Sequence, residues 1–273
     1  MNKIIFSAPL IFLVLILSGC GIQPQLVEVS VVKDANQAAE ATPAPATAAI
    51  PPATNIDNAK PAPPAAVPAV STTEEIAQIP RTYQLKVLFA QQAPFANWDA
   101  EHEEACEEAS MIMADRYFSG QPLDEKIMEA ELQKLFNWEA DHGYQVDLTA
   151  QETVDILRDY FGRTARLSTD VSADQIKYEL AQGRLIIIPA AGRELGNPNF
   201  KQPGPIYHML VIKGYNDREF ITNDPGTRKG NSYVYAYSAL INAIHNWNPI
   251  LAEGGMTDSE MAQGRVVLVV VDN

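Results

Sequence analysis

Three residues of this sequence have the types and the order that nucleophilic acyl transfer needs. Cys106 opens a segment with helical periodicity, and backbone N–H groups at a helix N-terminus favour a thiolate over a thiol. His208 lies at the start of a strongly apolar strand segment, and Asp224 follows sixteen residues later. In this interpretation Cys106 attacks the substrate, His208 takes its proton, and Asp224 holds the imidazole in the correct tautomer.

The segments that carry the histidine and the aspartate are predicted to form a hairpin. The apolar run 206–215 predicts one strand, Asn216-Asp217 a turn, and 219–222 the returning strand. Antiparallel strands joined in this way bring His208 and Asp224 side by side. The two side chains are therefore expected to form a hydrogen bond.

A glutamine in the loop before the cysteine is the candidate for stabilising the oxyanion of the tetrahedral intermediate. Gln92 could direct its amide N–H groups at this oxyanion, together with the backbone N–H of Cys106. Gln91 is the adjacent alternative for the same role.

Each of these residues also has a purely structural interpretation. A lone cysteine is often a small buried apolar residue, a single histidine is often a satisfied core residue, and Asp224 stands in an Asp-Pro-Gly turn signal. Four glutamates flank the cysteine: Glu103, Glu104, Glu107 and Glu108. Their negative charge disfavours a thiolate, although solvation of the carboxylates would screen this effect. Cys106 and His102 could suggest a metal site, but no second cysteine or regular ligand spacing supports one. No metal or cofactor is predicted.

The elements that must position these residues are mainly helices in the first part of the domain and strands in the second. Periodicity and cap signals predict helices over 106–118, 124–141, 149–161, 172–181 and 237–245, and strands over 83–89, 163–167, 184–190, 206–215, 219–222, 232–236 and 265–271. This segregation predicts the α+β class, with a helical N-terminal half and an antiparallel C-terminal sheet.

Taken together, the motifs resemble a known family of cysteine peptidases. Gln92-Ala-Pro-Phe-Ala-Asn-Trp, Cys106-Glu-Glu-Ala-Ser-Met, Tyr207-His208-Met-Leu-Val and Asn223-Asp224-Pro-Gly look like the papain-superfamily group called C thirty-nine-like, related to double-glycine leader peptidases of bacteriocin exporters. The resemblance covers about residues 84 to 272. It implies a papain-like fold with Cys106 as nucleophile, His208 as base, Asp224 as orienting residue and Gln92 as oxyanion donor.

The N-terminal segment indicates export and a lipid anchor. Residues 1–20 combine a positive start, an apolar run and Leu-Ser-Gly-Cys, which resembles a bacterial lipoprotein signal with Cys20 as the lipidated residue. The alternatives are an uncleaved membrane helix and an ordinary signal peptide. Residues 21–80 are rich in proline and alanine and predict a disordered tether, and residues 81–273 predict the peptidase domain.

Composition restricts the partners of the chain. The net charge of −14 argues against nucleic acid as a partner. The two cysteines, one of them expected to be lipidated, exclude a disulfide framework. The expected location is the cell membrane, lipid-anchored and facing outside the cytoplasm.

The resulting expectation is a surface-tethered cysteine peptidase that acts on a peptide or protein substrate. Two alternatives remain open from the sequence. One is a non-catalytic module of the same fold that binds peptides or a partner protein. The other is a cysteine transferase that acts on cell-wall peptides.

Overall fold

The computed structural model describes residues 79–252 and 256–273. The predicted signal segment, the predicted lipidation site Cys20 and the tether up to residue 78 lie outside the described residues. Within the described part of the chain, no helix combines the length and the apolar character needed to cross a membrane.

Most helices precede most strands along the chain. The helices are α1 Ala100–Glu103, α2 Cys106–Ser119, α3 Glu125–His142, α4 Ala150–Asp159, α5 Ala173–Ala181, α6 Tyr237–Ala243, α7 Pro249–Ala252 and α8 Asp258–Met261, with a 3₁₀ turn at Gly192–Leu195. The strands are β1 Tyr83–Gln84, β2 Thr164–Ser168, β3 Leu185–Ala191, β4 Tyr207–Tyr215, β5 Glu219–Asn223, β6 Asn231–Ala236 and β7 Leu268–Asp272.

The seven strands of the described residues form one sheet in which every pairing is antiparallel. Six strands follow the order β2-β7-β3-β4-β5-β6, and β1 pairs with β4. The predicted hairpin of β4 and β5 is confirmed, with Val211 opposite Asn223 and Tyr215 opposite Phe220. The α+β class is confirmed, and a helix that begins with the cysteine packs on the strand that carries the histidine.

The core lies between this sheet and the helices on it. Every residue of β3 and β4 is buried, and α2 buries a continuous run from Cys106 to Ala114. Each large aliphatic side chain removed from water in this way stabilises the fold by roughly 1.5–3 kcal/mol. The first residue of α2 is therefore held by a well-packed helix against a central strand.

Helix starts follow the cap signals of the sequence. The Asp124 side chain accepts a hydrogen bond from Ile127 N, and Thr149 forms a reciprocal capping box with Glu152. Such caps contribute about 0.5–2 kcal/mol each because they satisfy N–H groups that have no partner inside the helix. The predicted starts of these helices are confirmed to within one residue.

The first strand is much shorter than the predicted 83–89. Strand pairing with β4 covers only Tyr83 and Gln84, with one further backbone hydrogen bond from Leu85 N to Lys213 O. It stops there because β3 occupies the same edge of β4 as far as Ile212. At this crossing β1 lies so close to Gly214 that a Cβ atom there would sit 2.5 Å from the Tyr83 carbonyl oxygen. The segment that follows β1 is held instead by the Asn223 amide, which donates to two of its carbonyls.

Candidate active site

Cys106 is the first residue of α2, which agrees with the prediction that it lies in the first turn of a helix. The residue before it, Ala105, is the N-cap and makes no side-chain hydrogen bond to the N–H groups of the first turn. The thiol is buried, with 5% of the residue exposed, and it is a free cysteine. Its Sγ donates to Glu107 Oε2 at 2.9 Å and accepts from Met209 N at 3.1 Å.

His208 and Asp224 form the predicted hydrogen bond. His208 Nε2 lies 2.8 Å from Asp224 Oδ1, with the histidine on β4 and the aspartate directly after β5. Because Nε2 faces the carboxylate, Nδ1 is the ring nitrogen left to exchange a proton with a thiol. Both residues are buried, with 2% of His208 and none of Asp224 exposed.

The Asp224 carboxylate is surrounded by hydrogen-bond donors. Besides His208, it accepts from Gly226 N at 3.1 Å, from Asn197 Nδ2 at 3.0 Å and from the Tyr235 hydroxyl at 2.6 Å. Burial alone would raise the pKa of Asp224, but the nearby His208 and these donors outweigh burial and hold the pKa below its ordinary value. The carboxylate is therefore charged and fixed in orientation.

Two of these donors were not found from the sequence. Asn197 comes from the long segment between β3 and β4, and Tyr235 from β6. The only sequence signal was that β6 was predicted to be a strand in the same sheet. Nothing in the local pattern indicated that these side chains converge on Asp224.

The imidazole is enclosed by the segment between β3 and β4 and by the turn after Asp224. The Phe200 ring packs edge-on against the His208 ring, with 5.2 Å between centroids. A Cβ atom at Gly226 would lie 2.8 Å from His208 Cε1, so only glycine leaves room for the ring at this position. A substrate that reaches His208 must therefore displace part of this cover.

The Cys106 thiol contacts the backbone of β4 directly after His208. The N–H that holds Sγ belongs to Met209, the residue directly after His208. The hydrogen bonds of Sγ in the described structure go to Met209 and Glu107, not to the imidazole. The three predicted residues are thus brought to one place, but the thiol is turned toward a carboxyl group.

Gln92 is buried beside the same helix start and its amide is already engaged. Its Nε2 donates to the carbonyls of His102 and Glu103, both at 2.9 Å, while its Oε1 has no partner among the described residues. Both N–H groups therefore hold the last turn of α1, just ahead of the nucleophile. Gln91, the alternative, donates to the carbonyl of Pro94 at 3.3 Å.

The four glutamates around the cysteine divide into two pairs. Glu103 and Glu104 are exposed, as the expectation of solvated charges requires, whereas Glu107 and Glu108 are buried. The carboxyl groups of Glu107 and Glu108 are therefore not screened by solvent, and the expectation of solvated charges is wrong for these two residues. The reason is that α2 turns these two positions inward.

Burial and nearby negative charge raise the pKa values of the buried glutamates and of the thiol. Burial, the adjacent Glu108 and the nearby Asp147 raise the pKa of Glu107 well above its ordinary value. Burial and the charge of Glu139 do the same to the pKa of Glu108. Burial and Glu107 also raise the pKa of the Cys106 thiol, although the Met209 N–H opposes the shift. The resting thiol is therefore protonated at neutral pH.

His102 is a structural residue at the end of α1. Its Nδ1 contacts Asp99 Oδ1 at 2.7 Å and its Nε2 contacts Glu129 Oε2 at 3.0 Å. Burial would lower its pKa, but these two carboxylates outweigh burial and raise it. Among residues 79–252 and 256–273, no group of three or more His, Cys, Asp or Glu side chains is arranged to hold a metal ion.

A cysteine at a helix N-terminus, packed on an antiparallel sheet that carries a histidine–aspartate pair, is the arrangement expected of a cysteine hydrolase of α+β fold. Residues 78–253 match the profile of the Peptidase_C39 like family, and the chain belongs to this family. Family membership indicates a function of the cysteine-peptidase type.

Solved structures that are similar to the chain include the following two. One, from Bacillus anthracis and described as a C39-like peptidase, is 14% identical with a TM-score of 0.45, over 70% of this chain and 98% of that one. The other is xylellain, a cysteine protease from Xylella fastidiosa, which is 13% identical with a TM-score of 0.30, over 75% of this chain and 90% of that one. Among curated proteins, none matches the chain.

Proposed function

We propose that the protein is a cysteine peptidase in which Cys106, His208 and Asp224 carry out acyl transfer on a peptide or protein substrate. The observation that carries the proposal is the convergence of these residues. The Cys106 thiol is hydrogen-bonded to the backbone of the residue after His208, and His208 is 2.8 Å from Asp224. Membership of a peptidase family supports the same conclusion.

The chemistry divides into two steps. The thiol proton passes to His208 Nδ1, and Sγ attacks the substrate carbonyl carbon to form a tetrahedral intermediate. When this intermediate collapses, the imidazolium protonates the leaving amine and a thioester remains on Cys106. Water, deprotonated by the same histidine, then hydrolyses the thioester. Asp224 stays ionised and stabilises the imidazolium throughout.

The oxyanion of the intermediate needs hydrogen-bond donors near the start of α2. The Cys106 backbone N–H belongs to the unpaired first turn of the helix, where the helix dipole also favours negative charge. Gln92 is the proposed second donor. It can fulfil this role only if one of its N–H groups leaves a carbonyl of the α1 turn when the substrate binds.

A non-catalytic binding module is the second candidate, and the closed site favours it. Cys106 and His208 are 5% and 2% exposed, and the thiol contacts a carboxyl group instead of the imidazole. A peptidase must open this site to work, whereas a module that only binds a partner has no such requirement. The two candidates therefore differ in whether Cys106 and His208 are needed for turnover.

The experiment is hydrolysis of a broad peptide library by the full chain. Cys106→Ser and His208→Ala are expected to reduce the rate by at least about 10³-fold, because each removes a member of one catalytic unit. His142→Ala, at the exposed end of α3, is the matched control and should keep the parental rate. Equal hydrolysis by the parent and both site variants would refute the mechanism. A parent that cleaves no peptide but retains peptides in a binding assay would favour the module.

An added amine nucleophile separates hydrolysis from transfer. A thioester that reacts with water yields free acid, whereas a transferase on cell-wall peptides yields the amide of the added amine. Predominantly free acid is expected at millimolar amine concentrations. Predominantly amide product would instead make the protein a transferase.

We also propose that Cys20 anchors the protein to the membrane on the side away from the cytoplasm. The support is the Leu-Ser-Gly-Cys sequence after an apolar run. Stable anchoring requires two or more acyl chains, since one chain binds only marginally. Intact mass of membrane-extracted protein should show a chain that begins at an acylated Cys20. An unmodified N-terminus at another residue would contradict the anchor.

A further inference from the structure

The contact between the thiol and Glu107 is a built part of the site. Glu107 is fully buried, and its two carboxyl oxygens have different partners. Oε2 accepts from Cys106 Sγ at 2.9 Å, and Oε1 accepts from Leu148 N at 3.1 Å. The Leu148 backbone thereby fixes the carboxyl group, and the Met209 N–H fixes the sulfur from the other side. The thiol is held between one acceptor and one donor.

We propose that Glu107 is a positioning residue that keeps the Cys106 thiol protonated and directed away from His208 in the resting protein. This inference rests on the proposed function, because it concerns how the nucleophile of that reaction is restrained. It adds a role for a side chain that the reaction steps do not otherwise use.

The surroundings of the pair are rich in acids, and no lysine or arginine of the described residues forms an ion pair with them. The titratable groups that face the pair are Glu108 of the same helix, Glu139 of α3, Asp147 before α4, and Tyr207 and His208 of β4. A thiolate beside a charged Glu107 would place two adjacent negative charges among further acids in a buried site. A proton retained between Sγ and Oε2 avoids this arrangement.

The restraint acts directly on the first chemical step. The S–H bond must break and its proton must pass to His208 Nδ1 before Sγ can attack. While Sγ contacts the Glu107 carboxyl group, the imidazole is not its partner, and any negative charge on Glu107 opposes formation of the thiolate. The step becomes favourable when Sγ leaves Glu107 for His208, which is expected when a substrate opens the segment that carries Phe200.

The test is the pH dependence of alkylation of Cys106 by iodoacetamide in the full chain without substrate. Mass spectrometry of the tryptic peptide that contains Cys106 distinguishes it from Cys20. Glu107→Gln keeps the acceptor for Leu148 N but turns an N–H toward the sulfur, which favours the thiolate. Its alkylation midpoint should fall by one pH unit or more, equivalent to about tenfold more thiolate near neutral pH.

Glu108→Gln is the matched control, since it removes a neighbouring buried carboxyl group without touching Sγ. Its midpoint should move by less than a third of the shift seen in Glu107→Gln. An unchanged midpoint in Glu107→Gln, or an equal shift in both variants, would overturn the proposal. A purely structural Glu107 would lower the melting temperature without moving the midpoint.

The parent alone keeps the proposal falsifiable if Glu107→Gln fails to fold. Its midpoint is expected above the ordinary thiol pKa of about 8.5, and a midpoint below that value would overturn the restraint. The outcome is also separable from the proposed function, because alkylation needs no turnover. If the parent hydrolyses no peptide but Glu107→Gln shifts the alkylation midpoint, the role of Glu107 is upheld and the peptidase assignment is rejected.

Discussion

The two halves of the candidate site are stabilised in opposite ways. Around Asp224, one buried carboxylate receives hydrogen bonds from a backbone N–H, an amide and a hydroxyl, and pairs with an imidazole. Around Cys106, buried carboxyl groups contact a thiol and each other, and Oε2 of Glu108 and Oε1 of Glu139 have no partner among the described residues. The first half has a donor for each acceptor, whereas the second has a surplus of acceptors.

This difference shows how one fold can hold a charged carboxylate and an uncharged thiol on either side of the same strand segment. His208 and the hydrogen-bond donors lower the pKa of Asp224, while burial and neighbouring carboxyl groups raise the pKa of Cys106 and of the acids beside it. Under the proposed function, the histidine–aspartate half already has its working geometry in the resting protein. The cysteine half must first change its partner.

Asp224→Ala should produce the largest effect, because it removes the acceptor that all four donors share. Breaking a buried pair while leaving one partner unpaired costs about 3–5 kcal/mol of unfolding free energy. Peptide hydrolysis should fall by roughly 10⁴-fold, since the imidazole loses its orientation. Urea unfolding and the library assay measure both effects.

The matched control is Asp217→Ala, in the exposed turn of the same hairpin. Among the described residues Asp217 forms an ion pair with Arg81 alone, and both are exposed, so its loss should cost at most about 1 kcal/mol. Unchanged stability and activity in Asp224→Ala would mean that the hydrogen bonds around Asp224 contribute to neither. That result would contradict the difference between the two halves of the site.

Tyr235→Phe should have an intermediate effect, because Asp224 keeps its other donors. A hydrogen bond to a charged group contributes about 1.5–3 kcal/mol, so unfolding should become easier by that amount. Hydrolysis should fall by less than about tenfold. Tyr233→Phe is the control, since this neighbouring ring, 4.8 Å away between centroids, makes no hydroxyl hydrogen bond in the described structure. Equal effects of the two variants would refute a specific role for the Tyr235 hydroxyl.

The buried acids around Cys106 predict that the free energy of unfolding decreases as the pH rises. Burial and the charge of Glu107 raise the pKa of Glu139 to about 8, far above the value of about 4.3 expected in the unfolded chain. Between these values the folded state binds more protons, so its stability decreases as pH rises, by up to about 1.4 kcal/mol per pH unit for one group. The depressed pKa of Asp224 acts at lower pH and with the opposite sign.

Glu139→Gln should weaken this pH dependence, because an amide cannot lose a proton. The difference in unfolding free energy between pH 5 and pH 8 should be smaller in the variant than in the parent, and the variant should be the more stable protein at pH 8. Glu125→Gln, at the exposed start of α3, should keep the parental dependence. A parent that is equally stable at both pH values would show that these acids are not protonated in the fold.

Much of the framework could be predicted because its causes are local. Alternating and apolar runs predicted β3, β4 and the β4–β5 hairpin, and cap residues such as Thr149 predicted the helix starts. The contact of His208 with Asp224 followed from the hairpin, since strand pairing brings residues sixteen positions apart to the same end. The length of β1 was wrong because it depends on which strand occupies the edge of β4.

The sequence by itself indicated the α+β class and the family, and both are confirmed. Its assignment of nucleophile, base and orienting residue stays a prediction. Only the tertiary structure decided that Asn197 and Tyr235 reach Asp224, that Gln92 supports the α1 turn, and that Glu107 faces the thiol. The physical reason is distance along the chain. Cys106 meets Met209 across 103 positions, and whether a glutamate is solvated or buried there depends on the elements packed around it.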